Sequence, residues 1–188
     1  MRSNIQKFLI VLSCLCSILC GSEPARIWLD VPFVKQERNG CGAASIAMIM
    51  QYWRRQQGRP TGQGSDAEEI QRELYTKAAH GIYASSLERY LKQHGFQTFA
   101  FRGELNDLKQ HLAKGRPLIA ALKPESGDAA LHYVVVVGVD REQSLVLVND
   151  PAERKLLQRE QSHFEREWKG AGNWALLALP REDTSSAR

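Results

Sequence analysis

Four residues have side chains suited to acyl transfer: Gln36, Cys41, His132 and Asp150, in that order along the chain. A cysteine attacks carbonyls as its thiolate, which is favoured beside a cation or at the first turn of a helix. Cys41 stands where the polar turn Glu37-Arg38-Asn39-Gly40 gives way to an apolar run through Ala43, Ala44, Ile46, Ala47, Met48, Ile49 and Met50. A stretch that is apolar nearly all round reads as a buried helix, here from about Gly40 to Arg55. Its first-turn N–H groups have no intrahelical partner and would face the Cys41 sulfur. The competing reading is a buried, inert thiol, the commoner fate of a free cysteine.

His132 lies at the start of Leu131–Val139, and Asp150 directly follows Ser144–Asn149. Both stretches are rich in β-branched residues and are separated by the short charged segment Asp140–Gln143, so they read as an antiparallel hairpin. With the turn centred near Arg141–Glu142, His132 falls opposite Asp150 or Pro151. A carboxylate there fixes the imidazole tautomer and stabilises imidazolium. Gln36, just upstream of Cys41, has an amide able to donate to an oxyanion, with the Cys41 N–H as second donor. The plain alternatives are a strand-opening histidine, an Asp-Pro turn and a surface glutamine.

The rest of the chain bounds these readings. Its 188 residues suit one domain with its own core, expected over 26–180, followed by a polar tail at 181–188. Residues 1–22 read as a targeting signal. Arg2 and Lys7 precede the apolar run Phe8–Leu19, and Cys20-Gly21-Ser22 supplies small residues for cleavage. The run is short for a membrane span. Export is therefore expected, with the product either soluble, held at the membrane by a lipid on Cys14, Cys16 or Cys20, or anchored by an uncleaved signal. Three of the four cysteines lie in that segment, so the domain keeps only Cys41 and can form no internal disulfide. The formal charge of +4 falls to about +2 without Arg2 and Lys7, and no basic block focuses it. Nucleic-acid binding is not expected. His80, His94, His111 and His163 show no metal-ligand spacing, so neither metal nor cofactor is expected. His80, His94 and His111 read as solvated residues at helix ends or faces.

The elements that must position the four residues follow from periodicity and breakers. A short strand is expected over Arg26–Phe33, a flexible loop over Gln56–Ser65, and a helix from Ser65–Asp66 to Ala79 with Gly81 in its left-handed cap. A second helix follows the Ser85-Ser86 cap and stops at Gly95. Then come a strand at Phe96–Arg102, a helix at Leu105–Lys114, and a buried strand at Pro117–Lys123. After the hairpin, Phe164–Lys169 reads as a helical turn and Asn173–Leu179 as a last strand. Helices first and an antiparallel sheet mainly second make this an α+β chain.

The segments VPFVKQERNGCGAASIAMIMQYW, LHYVVVVGVD and VNDPA, with ASSLERYL and LNDLKQHLAKGRPLI between them, resemble papain-like cysteine peptidases of the bacteriocin-processing (double-glycine leader peptidase) type. The resemblance runs from about Leu29 to Leu179. It implies a papain-like α+β fold with the cysteine helix packed on an antiparallel sheet. It also implies Cys41 as nucleophile, His132 as general base, Asp150 as the orienting carboxylate, Gln36 in the oxyanion hole, and a peptide or protein substrate. The chain departs from the transporter-borne members: it shows no membrane domain or ATPase motif and opens on an export signal, so their leader-peptide substrate is not carried over. An acyltransferase and a non-cleaving peptide-binding module remain the alternatives on the same fold.

Overall fold

The computed structural model describes residues 24–60, 62, 64–124 and 130–181. The expected targeting segment and, beyond Arg181, the polar tail lie outside the described residues. Five helices are described: α1 (Cys41–Gln56), α2 (Ala67–Leu74), α3 (Ala84–Gln93), α4 (Leu105–Ala113) and α5 (Gln161–Gly170). The strands are β1 (Arg26–Trp28), β2 (Phe96–Arg102), β3 (Leu118–Leu122), β4 (His132–Asp140), β5 (Leu145–Asn149), β6 (Leu157–Glu160) and β7 (Trp174–Pro180). They form one antiparallel sheet in the order β2-β7-β3-β4-β5-β6, with β1 paired to β4.

Helices cover both faces of this sheet. Ile119, Ala121, Val135, Val137, Leu176 and Ala178 pack with α1, α2 and α3 through Ile46, Met50, Ile70 and Leu87. The alternate residues, Leu118, Ala120, Val134, Val136, Ala175 and Leu177, pack with Leu108 and Leu112 of α4 and Phe164 and Trp168 of α5. Burial on both faces is why Val134–Val137 is an unbroken apolar run instead of an alternating one; each buried valine is worth roughly 1.5–3 kcal/mol. The site helix sits deepest. Every α1 residue from Gly42 to Met50 is buried. Its first turn lies tight against the segment after α2, where a Cβ on Gly42 would come within 3.2 Å of the Ile82 Cβ.

Several boundaries differ from those expected. β1 ends at Trp28, because Val31 N–H turns back to the Leu29 carbonyl (2.8 Å) and bends the chain toward the site. α2 is capped by Asp66, whose side chain accepts from Glu69 N–H, and it stops at Leu74 instead of reaching Ala79. Tyr75 is extended, and Thr76 then bridges to Gly81 across a short turn in which the Thr76 hydroxyl accepts from Ala79 N–H. In that turn His80, not Gly81, takes the left-handed conformation (φ 48°). The N-cap of α3 is Tyr83, not the Ser85-Ser86 pair. The far end of the Gln56–Ser65 loop is pinned, with Ser65 buried and its carbonyl accepting from Gln51. The helical turn expected at Phe164–Lys169 is the full helix α5, preceded by the unexpected edge strand β6. His111 is half-buried, not solvated: it lies against Phe101, and burial lowers its pKa.

Candidate active site

Cys41 is the first residue of α1, a partly exposed free thiol at the mouth of a buried helix. No acidic residue occupies the first turn and no side chain caps it, so its N–H groups remain directed at the sulfur's surroundings. Gly40, which precedes it, closes a tight turn with its N–H on the Glu37 carbonyl (2.9 Å). A Cβ at Gly40 would lie 3.0 Å from that oxygen, so only glycine keeps the turn this close.

His132 is the first residue of β4, and Asp150 follows the last residue of β5. His132 Nε2 meets Asp150 Oδ1 at 2.7 Å, with Asp150 only 1% exposed. The pair is diagonal, not directly opposed. The register places Val136 opposite Val148 but Gly138 opposite Leu147, so Val137 is a bulge. Extended one step beyond its last pair, Val135 with Asn149, that register puts Asp150 level with Val134, two residues along β4 from His132 and on the same face. Without the bulge the two side chains would fall on opposite faces.

With Nε2 held by Asp150, Nδ1 is the nitrogen left for Cys41. Burial pushes the Cys41 thiol up, but hydrogen bonding and charge from His132, with backbone hydrogen bonds at Tyr133 and Gly42, outweigh it and hold the pKa below the ordinary thiol value. Burial likewise disfavours the His132 imidazolium. Its hydrogen bonds to Asp150 and Cys41, and their charges, overcome this and raise His132 to about 9. Burial also raises Asp150, yet its bond to His132, the imidazolium charge, Ala152 N–H and Arg159 together lower it. The arrangement favours a thiolate–imidazolium pair.

Three residues beyond this set, Arg159, Glu167 and Asn149, are buried or nearly so and were not singled out from the sequence. Asp150 Oδ2 accepts from Arg159 Nη2 (3.0 Å), and Arg159 Nη1 donates to Glu167 Oε2 (2.7 Å). Arg159 and Glu167 have side chains only 14% and 9% exposed. The available signal was Glu167 itself, a charge between Phe164 and Trp168 on the apolar face of a helix. Asn149 is also wholly buried; its Nδ2 donates to the Val31 carbonyl and its Oδ1 accepts from Leu156 N–H. It ties the approach to Cys41 to the loop that begins at Asp150.

Gln36 is brought to the same corner by its backbone. Its N–H donates to the carbonyl of Pro151, the residue after Asp150, at 3.0 Å. Its side-chain oxygen is buried with no hydrogen-bond partner among the described residues. His80, His94, His111 and His163 are not drawn to Cys41; His94 instead stacks on Tyr90, and His163 lies 3.6 Å from Glu167. Among the described residues no three His, Cys, Asp or Glu side chains cluster as a metal site, and no helix is long and apolar enough to cross a membrane.

The sequence model of the Peptidase_C39 like family matches residues 28–176. Among solved structures, a protein of Bacillus anthracis described as a C39-like peptidase superposes with a TM-score of 0.67 at 21% identity, over 83% of this chain and 98% of its own. The double glycine motif protease of an AMS/PCAT transporter, solved with its leader peptide, gives 0.59 at 23% identity, over 81% and 94%. The peptidase domain of Streptococcus ComA, a bi-functional ABC transporter in a quorum-sensing pathway, gives 0.59 at 22%, over 80% and 98%. At these identities the likeness is one of fold. Comparison with curated proteins returns no match.

Proposed function

The chain belongs to the Peptidase_C39 like family, and from that premise we propose that it is a cysteine endopeptidase acting through Cys41, His132, Asp150 and Gln36. The observation that carries the reading is the buried 2.7 Å contact between His132 and Asp150, with a thiol beside it held below its ordinary pKa despite burial. The Cys41 thiolate adds to the carbonyl carbon of a peptide bond. The oxyanion is received by the Cys41 N–H and the Gln36 amide. His132 gives its proton to the departing amine as the C–N bond breaks, leaving a thioester on Cys41. Water, deprotonated by His132, then adds to the thioester. Collapse releases a carboxylic acid and restores the thiolate–imidazolium pair. Asp150 keeps Nε2 engaged throughout, so Nδ1 faces the reaction.

Alkylation of the purified protein with iodoacetamide across pH is the first test. Cys41 should react well below the ordinary thiol pKa of about 8.5, and His132→Ala should remove that advantage. A wild-type profile that follows an unperturbed thiol refutes the ion pair. A peptide-library digest, with Cys41→Ala as control, tests cleavage; acyl transfer to an added amine in place of hydrolysis would reveal a transferase. We also propose export, from the apolar run Phe8–Leu19. The intact mass of protein recovered from its native host tests this, since cleavage near Ser22 or a lipid adduct on Cys20 each leaves a distinct mass.

A further inference from the structure

We propose that a basic concavity beside the cysteine loop is a substrate subsite that takes the carboxylate of an acidic side chain. The inference rests on the peptidase reading and names a class of substrate for it. The concavity encloses about 550 Å³ and is lined by Arg38, Asn39, Gln71, Arg72, Tyr75 and His80, with no carboxylate among them. Its rim is part of the segment that delivers the thiol: Arg38 and Asn39 lead through Gly40 into Cys41. Gln71 on α2 donates its side-chain amide to the Arg38 and Asn39 carbonyls at 3.3 and 3.4 Å, which fixes that rim to the helix opposite. The other wall is the Thr76–Gly81 turn. A Cβ on Gly81 would lie 3.7 Å from the Asn39 carbonyl, so the two walls touch beside the loop.

Arg38 and Arg72 share one concave lining. Some basic side chains of the fold, Arg26, Arg55, Lys92, Lys155 and Arg159, each face a carboxylate. Arg38 and Arg72 are exposed, and among the described residues neither guanidinium has an ion-pair partner. Two unpaired guanidiniums on a concave wall focus positive potential into it, and their planar forks match a carboxylate. Tyr75 and His80 add a phenolic hydroxyl and an imidazole to the same lining. Both guanidiniums are exposed and open to receive a partner.

The test uses the full domain and two readouts. The first is affinity selection of a random peptide library, with amidated C-termini, on immobilised Cys41→Ala protein. Retained peptides should be enriched in Asp and Glu, and adding Arg38→Gln and Arg72→Gln should remove the enrichment. The second is cleavage by the wild type of peptides paired as Glu and Gln at the enriched position. The Glu/Gln ratio of kcat/KM should favour Glu and fall about tenfold in the double variant, since each half-open guanidinium–carboxylate contact is worth a few-fold. It should also shrink as salt rises. Enrichment only when the library carries free C-terminal carboxylates would overturn the side-chain assignment. Selection without acidic enrichment, or a ratio the double variant leaves intact, overturns the subsite and leaves the peptidase standing. Selection with acidic enrichment but no cleavage by the wild type overturns the peptidase and leaves the subsite standing.

Discussion

Arg159 holds two buried carboxylates, and removing it makes a quantitative test of the site's architecture. In Arg159→Gln, Asp150 loses its 3.0 Å contact and Glu167 its 2.7 Å contact. Both acids stay buried, at 1% and 7% exposure. Removing one partner of a buried ion pair costs about 3–5 kcal/mol, because a charge is left uncompensated. The cost here falls toward the lower end. Asp150 keeps His132 and Ala152 N–H, and Glu167 keeps His163 at 3.6 Å. About 3 kcal/mol is therefore expected from urea denaturation at pH 7. A loss under about 1 kcal/mol, the value of an exposed pair, would refute the reasoning. A second variant separates stability from positioning. Arg159→Met with Glu167→Leu replaces the ion pair with apolar bulk and should recover most of the stability. It restores nothing to Asp150 Oδ2, so the pH profile of Cys41 alkylation should remain altered. If both recover together, Arg159 supports the fold and does not position the site.

Other perturbations read neighbouring parts of the same corner. Asp150→Asn removes one of the two partners that together raise His132 to about 9, leaving Cys41, so the alkaline limb of Cys41 alkylation should move to lower pH. An unmoved limb would mean that another group sets it. Asn149→Ala leaves the Val31 carbonyl and Leu156 N–H without their partner; a cost of about 2 kcal/mol is expected from denaturation. Gly138→Ala sets a Cβ 2.9 Å from Leu147 Cδ1 and 3.0 Å from Trp28 Cα. It should free β1 and cost about 1–3 kcal/mol, with faster amide exchange confined to Arg26–Trp28 and its partner residues on β4.

The parts of this site that were legible in the sequence are those that depend on local chemistry. Cys41 at a helix mouth follows from a polar turn meeting an apolar run, and the hairpin from β-branched stretches around a charged turn. The papain-like cysteine helix on an antiparallel sheet likewise agrees with the solved relatives. What was not legible depends on tertiary register. The Val137 bulge is one extra residue in a run of four valines, and nothing in such a run marks which valine is unpaired. Yet it decides whether His132 and Asp150 share a face. Arg159 lies in the strand LQRE, too short and polar to stand out, and becomes largely covered only because β6 pairs with β5 beneath α5. The early end of α2 has a similar origin. Lys77, Ala78 and Ala79 look helical but are diverted by the Thr76–Gly81 bridge, a contact between positions that a helical reading places on one rod.

Charges of alternate sign run from Cys41 through His132, Asp150 and Arg159 to Glu167, and this alternation couples stability to the proposed chemistry. Each ion's desolvation is offset by a neighbour of opposite charge, and for His132, Asp150 and Arg159 by one on either side, so the site tolerates charges that singly would neutralise. His132 has a raised folded pKa, so its stabilisation is complete below the unfolded value of about 6.5 and is lost as pH rises through about 9. Asp150 is lowered, so its stabilisation is present above its unfolded value near 3.8 and is lost as pH falls through its lower folded value. The thiolate–imidazolium pair exists between the lowered thiol pKa and about 9. Cys41 carries the opposite linkage: across this window it is ionised in the folded state and protonated in the unfolded one, so in the wild type its gain cancels the loss from His132. The His132–Asp150 contact is therefore read in Cys41→Ala. The denaturation midpoint of that variant should fall as pH rises above about 6.5, along with loss of the imidazolium signal in NMR, and adding His132→Ala should remove the fall. A midpoint that stays flat, with the imidazole titrating near the free value of about 6.5, would show that the His132–Asp150 contact contributes nothing to folding, and with it that the alternation is incidental.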